Sequence, residues 1–178
     1  MARRHSPFAR EAFTLLEVLA AAIIVVILAA LFIPNMREYY SRAGEARCIG
    51  NMRNITVGLH GYLQDNRGVW PQGPTLNDEP AWEAFWLAKL TNYGITTNVW
   101  RCPTLDSQLA SKGMPREERP KIAYIPTLFS AEPNIATRWA THPWLIERAN
   151  AHPNGALVAF PDGSVKSFNK ILAELGVR

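Results

Sequence analysis

An apolar stretch near the N-terminus constrains the fold of this chain more than any other feature. Residues 13–33 read FTLLEVLAAAIIVVILAALFI and contain a single charged side chain, that of Glu17. A helix of about 21 residues is long enough to cross a hydrocarbon core of about 30 Å. The sequence therefore predicts a transmembrane helix over residues 13–34, because Pro34 and Asn35 end the apolar run.

Three basic residues in the leader indicate how this helix is oriented. Arg3, Arg4 and Arg10 precede the apolar stretch, and positively charged flanks usually stay in the cytoplasm. We therefore expect residues 1–12 to be the cytoplasmic leader of a single-pass inner-membrane protein whose C-terminal domain is periplasmic or extracellular. An ordinary secretory signal peptide fits less well, because its apolar region is shorter and would not tolerate Glu17.

The helix is predicted to continue beyond the membrane. Between residues 36 and 63, apolar residues recur largely at steps of three and four, which is the pattern of an amphipathic helix. We expect one helix from about residue 14 to about residue 64, with bends at Pro34 and Gly44 because proline removes a backbone hydrogen bond and glycine lowers helix propensity. Residues 35–66 then form its extracytoplasmic part, and residues 67–178 form a globular domain.

The globular domain is predicted to be α+β, with an antiparallel sheet of about three or four strands. Asp162-Gly163 between two apolar runs, 156–160 and 164–168, predicts a β-hairpin, since Asp-Gly favours a tight turn. Apolar residues at helical spacing predict a helix at 81–93, with Glu83 and Lys89 left for solvent. The other predicted elements are a strand at 99–102, a strand at 121–128 that Pro126 confines to a sheet edge, a loop over 132–154 and a last helix at 170–175.

The residues at the start of the apolar stretch carry a specific pattern. Ala12, Phe13 and Glu17, within A-F-T-L-L-E, resemble the N-terminal signature of type IV prepilins and type II secretion pseudopilins. The resemblance implies a pilin-like fold, cleavage by a prepilin peptidase between Ala12 and Phe13, and N-methylation of the new Phe13 amine. It departs from the family at Ala12, where the family normally has glycine.

Glu17 has two alternative interpretations. An aspartate at the centre of a membrane helix costs about 2.5 to 3.5 kcal/mol on insertion scales, so a carboxylate there usually has a partner and a function. The resemblance implies that Glu17 pairs with the Phe13 amine of a neighbouring subunit during filament assembly. Alternatively, Glu17 lies close enough to the cytoplasmic headgroups to stay hydrated, on an uncleaved signal anchor.

A second motif lies near the C-terminus. His152 precedes Asp162-Gly163 with a spacing that resembles the H-x9-D-G signature of a large bacterial branch of pilin-like proteins. Further segments similar to that branch are C-I-G-N-M-R, N-R-G-V-W-P and W-R-C-P, which begin at residues 48, 66 and 100. His152 and Asp162 are candidates for metal ligands or an acid/base pair, but a lone histidine and a turn aspartate more often fix local structure through hydrogen bonds.

The two cysteines of the chain, Cys48 and Cys102, leave two alternatives open. They lack the C-x-x-C spacing and the neighbouring histidines of zinc sites, so neither a metal nor a cofactor is predicted. Outside the cytoplasm they can form a disulfide, whose loop of about 53 residues allows about 4 kcal/mol of stabilisation. The alternative is two buried thiols that pack as small apolar side chains.

The sequence predicts a structural subunit and not an enzyme, since no serine or cysteine lies in a nucleophile motif. The resemblance implies that its partners are a prepilin peptidase, other pilin-like subunits bound through the N-terminal helix, and inner-membrane assembly machinery. The product is a secretion pseudopilus or a surface fibre, and no basic patch indicates nucleic acid.

One alternative is a monomeric anchored binding module with a Trp-rich surface, and another is a tethered enzyme that uses His152 with Asp162. The tryptophans concerned are Trp82, Trp86, Trp100, Trp139 and Trp144, most of which are expected in the core.

Overall fold

The computed structural model describes residues 14–177 of the chain. These residues form an α+β structure in which three α-helices precede a four-stranded antiparallel sheet and one further helix. The predicted α+β class with an antiparallel sheet is therefore confirmed. The elements are α1 (Leu15–Asp65), α2 (Glu79–Thr91), α3 (Pro103–Ser111), a 3-10 turn (Arg116–Glu118), β1 (Tyr124–Pro126), β2 (Leu145–Glu147), β3 (Leu157–Ala159), β4 (Val165–Ser167) and α4 (Phe168–Glu174).

Helix α1 is the longest element and contributes to both structural units of the chain, Met1–Tyr40 and Ser41–Arg178. The helix is uninterrupted at Pro34 and Gly44, the two predicted bends. In the first unit, its Leu15–Ile33 part is long and apolar enough to cross a membrane, a property that it shares with signal sequences. Within this part every side chain is exposed except that of Ala29, which is half-buried.

In the second unit, α1 is a core helix with one buried face. The buried apolar residues of this part recur at steps of three and four, as predicted for an amphipathic helix. They are Cys48, Met52, Ile55, Leu59 and Leu63. Gly58 lies on the same face, where a Cβ atom would come within 2.6 Å of Ile95 Cγ1. The missing side chain therefore allows the segment after α2 to pack close to the helix backbone.

The four strands lie in the order β1-β2-β3-β4, and each is antiparallel to its neighbours. Strands β3 and β4 form the predicted hairpin. In its turn, Asp162 Oδ1 accepts a hydrogen bond of 2.8 Å from the Ser164 N–H, and Gly163 adopts a φ of +78°, which favours glycine. Pro126 lies in the edge strand β1, as its missing N–H predicts.

Two predicted elements of the second unit are wrong. Residues 99–102, predicted as a strand, are the end of a turn and the N-cap of α3. The predicted loop over 132–154 contains β2, which pairs with both β1 and β3. Strand β2 has only three residues and directly follows Pro143-Trp144, so its apolar–polar alternation is too short to recognise in the sequence. It is stabilised by pairing with its neighbours more than by local propensity.

The core of the second unit is rich in tryptophan. The fully buried indoles, which include the predicted pair from α2, belong to Trp70, Trp82, Trp86, Trp100 and Trp144. Glu83 is also buried, although its position on α2 predicts exposure. Its Oε1 accepts hydrogen bonds from the backbone N–H groups of Lys121 (2.8 Å) and Ile122 (3.1 Å). This carboxylate therefore joins α2 to the segment that leads into β1.

Candidate functional site

The N-terminus of α1 carries Glu17, the predicted assembly residue. Thr14 and Glu17 form a capping box: the N–H and hydroxyl of Thr14 both donate to Glu17 Oε2 at 3.0 Å, and the Glu17 N–H donates to Thr14 Oγ1 at 3.3 Å. These bonds satisfy N–H groups that the first helical turn leaves without intrahelical partners. Glu17 therefore has a local structural role. Ala12 and Phe13, the predicted cleavage and methylation site, lie outside the described residues.

A second group of chemically active side chains is buried in the second unit. It consists of Cys48, Cys102, Glu147 and His152, and we call it the Cys-Glu-His cluster. Cys48 comes from the buried face of α1, and Cys102 is the N-cap residue of α3. Glu147 is the last residue of β2, and His152 lies in the loop before β3. Four separate segments of the chain thus meet at one point.

His152 Nε2 contacts two members of the Cys-Glu-His cluster. It lies 3.2 Å from Glu147 Oε1 and 3.7 Å from Cys102 Sγ. The other carboxylate oxygen, Glu147 Oε2, accepts a hydrogen bond of 3.0 Å from the Leu157 N–H of β3. One sulfur, nitrogen or oxygen atom from each of the four side chains lies within 4.8 Å of the others. The side chains of Glu147 and His152 are fully buried, and the cysteines are at most 1% exposed.

Burial and mutual contact shift the pKa values of the cluster strongly. The hydrogen bond from Cys102 lowers the pKa of Cys48 to about 5, and the same bond together with burial raises the pKa of Cys102. Burial lowers the pKa of His152, but the hydrogen bonds to Cys48 and Glu147 outweigh it and raise this pKa to about 10. The contacts within the cluster therefore favour the thiolate form of Cys48.

The two ends of the H-x9-D-G motif have different roles in the structure. His152 belongs to the buried cluster, and the carboxylate that it contacts is that of Glu147. Asp162 lies exposed in the hairpin turn, where it bonds Ser164, and Gly163 completes that turn. The alternative in which His152 and Asp162 act as an acid/base pair therefore lacks support from these contacts.

The two cysteines meet in the cluster as free, buried thiols. This is the second of the two alternatives from the sequence, and the disulfide stays a prediction. The lack of a zinc motif in the sequence does not exclude a zinc site in three dimensions. The fold places a histidine and a carboxylate beside Cys48 and Cys102, although both cysteines are far from them along the chain.

Glu147 is the cluster residue that sequence analysis missed, because it lies in the segment predicted as a loop. A signal was present in Leu145-Ile146-Glu147. The first and third residues are buried and Ile146 is exposed, which is the alternation of a β-strand. Had this strand been recognised, Glu147 would have been placed on the buried face with Leu145, where a carboxylate is rarely found without a partner.

The Trp-rich surface of the alternative binding module is mostly core. Of the five tryptophans proposed for it, Trp139 is 57% exposed and the other four are buried. Trp144 donates its indole N–H to the Ala136 carbonyl at 2.8 Å, which fixes the ring inside the domain. These rings therefore pack the second unit and do not line an open groove.

Comparison with protein-family models, curated proteins and solved structures found no match to this chain. Two features of the chain itself point to a function. One is the exposed apolar helix Leu15–Ile33 with its capped Glu17. The other is the buried Cys-Glu-His cluster of the second unit.

Proposed function

We propose that this chain is a pilin-like structural subunit that a prepilin peptidase cleaves between Ala12 and Phe13. The mature subunit assembles through its N-terminal helix into a secretion pseudopilus or a surface fibre. The observation that carries the proposal is the exposed apolar surface of Leu15–Ile33, which follows a prepilin-like A-F-T-L-L-E sequence.

An exposed helix of this composition needs an apolar environment. Burying one large apolar side chain is worth about 1.5–3 kcal/mol, and many such side chains are exposed along Leu15–Ile33. They include Leu16, Val18, Leu19, Ile23, Ile24, Val26 and Phe32. Lipid covers this surface in the unassembled subunit, and helices of other subunits cover part of it in the fibre. The same apolar surface therefore first anchors the subunit in the membrane and later takes part in its assembly into the fibre.

The orientation of the subunit follows from its leader. Arg3, Arg4 and Arg10 keep the N-terminus in the cytoplasm, so the unit Ser41–Arg178 is periplasmic or extracellular. The inner-membrane assembly machinery then collects processed subunits from the membrane. In this proposal the second unit is the part that the fibre displays.

Glu17 acts twice in this proposal. It caps its own helix through Thr14, and after cleavage its charge pairs with the free Phe13 amine of a neighbouring subunit. Both hydrogen bonds from Thr14 end on Glu17 Oε2, so Oε1 is the oxygen that receives the amine. Pairing of the two charges in a membrane environment selects one register between neighbouring helices.

Three variants of the full chain separate the charge of Glu17 from its capping bond. Glu17→Gln removes the charge but keeps a side chain that suits a capping box. Glu17→Leu removes both, and Thr14→Ala removes the cap while keeping the charge. We expect both Glu17 variants to lose at least about tenfold in crosslinked oligomers, because an unpaired charge in the membrane costs about 2.5 kcal/mol or more. Thr14→Ala should assemble like the parent.

Crosslinking between membrane helices, in cells that contain the assembly machinery, measures this effect. If Glu17→Leu assembles as well as the parent, the register role is wrong. If Glu17→Gln assembles normally and Thr14→Ala does not, Glu17 acts only as a helix cap. Membrane insertion, followed by fractionation, should be unchanged in all three variants and serves as the control.

Cleavage is tested on the protein extracted from membranes. We expect mass spectrometry to find a mature chain that begins at a methylated Phe13, since Ala12 and Phe13 flank the cut in the proposed signature. A chain that still begins at Met1 or Ala2, in cells with an active prepilin peptidase, would contradict the proposal. An uncleaved signal anchor would then describe the N-terminus better.

A further inference from the structure

The Cys-Glu-His cluster has the composition of a metal site, and the proposed assembly function does not use it. We infer that Cys48, Cys102, Glu147 and His152 bind one Zn²⁺ ion in a closed, four-coordinate structural site. They supply two sulfurs, one imidazole nitrogen and one carboxylate oxygen, all within 4.8 Å of one another. These are the ligand atoms that zinc takes in proteins.

Two of the interatomic distances in the cluster match those of tetrahedral zinc. Bonds of about 2.3 Å to sulfur and about 2.0–2.2 Å to nitrogen and oxygen separate sulfur from nitrogen by about 3.6 Å and nitrogen from oxygen by about 3.4 Å. Cys102 Sγ and His152 Nε2 are 3.7 Å apart, and His152 Nε2 and Glu147 Oε1 are 3.2 Å apart. Both pairs therefore need to move by only about 0.2 Å or less to share an ion.

Backbone groups next to the cluster hold two of the ligands in place. The Leu157 N–H donates to Glu147 Oε2 at 3.0 Å, while Oε1 is the oxygen that contacts His152. The Leu105 N–H donates to Cys102 Sγ at 3.5 Å, at the N-terminus of α3. Contacts of this kind orient the ligands of zinc sites.

Burial of all four ligands favours a structural role for the ion. The protein supplies every ligand of a tetrahedral site, which leaves no open position for substrate or reactive water. Two thiolates with an imidazole favour zinc over harder cations such as Mg²⁺ or Ca²⁺.

The proposed ion joins three regions that are far apart in the sequence: α1, the N-cap of α3, and the end of β2 with the loop that follows it. Because such a site does not exist in the unfolded chain, the free energy of zinc binding adds directly to that of folding. The ion would therefore stabilise the second unit much as the predicted disulfide would.

The full chain, extracted from membranes in a mild detergent without chelators, tests the inference. We expect elemental analysis to find about one zinc ion per chain, as for a single tetrahedral site, and mass spectrometry to find both thiols reduced. After removal of zinc under reducing conditions, added Co²⁺ should give the visible bands of tetrahedral cobalt and the near-ultraviolet absorption of cobalt bound to thiolate. Added Zn²⁺ should displace the cobalt.

Glu147→Gln and Glu83→Gln form a matched pair of variants, because both carboxylates are buried and both accept backbone N–H groups. Glu147→Gln should weaken zinc binding by at least the roughly 10- to 100-fold that loss of an outer-shell partner costs. Glu83→Gln should leave zinc affinity and the cobalt spectrum unchanged. If Glu147→Gln does not fold, His152→Cys replaces it, since a third thiolate should strengthen the near-ultraviolet cobalt absorption.

Three results would overturn the inference. The first is a chain isolated from cells with Cys48 and Cys102 joined in a disulfide. The second is a reduced, folded chain that binds neither Zn²⁺ nor Co²⁺. The third is an equal loss of zinc affinity in Glu147→Gln and Glu83→Gln, which would place the effect in folding and not in ligation.

Discussion

Helix α1 has two parts that differ in how their apolar side chains are arranged. From Leu15 to Ile33, apolar residues surround the helix and are exposed. In residues 41–65 they form one stripe, which the second unit buries. A helix that is apolar on every side has no preferred face to turn toward its own chain, so it requires lipid or other helices. A helix with one apolar stripe packs against its own domain.

The polar groups of these two parts differ in a corresponding way. Glu17 is capped by Thr14, three residues away in the same helical turn. Cys48 meets Cys102, Glu147 and His152, which come from distant parts of the chain. The polar group of the first part of α1 is therefore held by a contact within its own helical turn, and the apolar side chains there face the surroundings of the protein. The polar group of the second part is held by tertiary contacts.

The same substitution in both parts provides the strongest test of this difference. Leu59→Ala should destabilise the second unit by about 2–5 kcal/mol, because Leu59 is fully buried and its removal leaves a cavity. Leu19→Ala should change the free energy of unfolding by less than about 0.5 kcal/mol, because Leu19 is 58% exposed. Denaturant unfolding in detergent, followed by the fluorescence of the buried tryptophans, measures both.

Val57→Ala is the control on the second part of α1. Val57 is exposed although it lies only two residues from Leu59, so its truncation should cost less than about 0.5 kcal/mol. A large effect of Val57→Ala, or equal effects of Leu59→Ala and Leu19→Ala, would contradict the division of α1 into an exposed part and a core part.

A smaller effect is expected from two glycines of the core part of α1. Gly50→Ala should stabilise the second unit by about 0.4–1 kcal/mol, because the new Cβ would meet no described atom within 4 Å beyond its own stretch of helix backbone, and alanine favours the helix. Gly58→Ala should destabilise it by about 1–3 kcal/mol, because the new Cβ would meet Ile95 Cγ1 at 2.6 Å. Thermal unfolding of both variants and the parent measures these changes in stability. Stabilisation by both substitutions would mean that Ile95 moves aside freely.

The elements that local chemistry specifies can be predicted from the sequence. The Asp162-Gly163 turn, helix α2 and the edge position of Pro126 all depend on residues close to them in the chain. Strand β2 could not be predicted in this way, because it is short and is stabilised by pairing with β1 and β3. The burial of Glu83 could not be predicted either, since no residue near it in the chain indicates that its carboxylate accepts backbone N–H groups before β1.

The candidate sites divide in the same way. The apolar span, the position of Glu17 at its start and the stripe that α1 presents to the core can be predicted from residue spacing, because each lies within one helix. The meeting of Cys48, Cys102, Glu147 and His152 depends on the tertiary fold. Their meeting requires α1 and α3 to pack beside a sheet whose second strand carries Glu147 on its buried face. Such proximity is set by the packing of the whole domain, and residue spacing along the chain does not encode it.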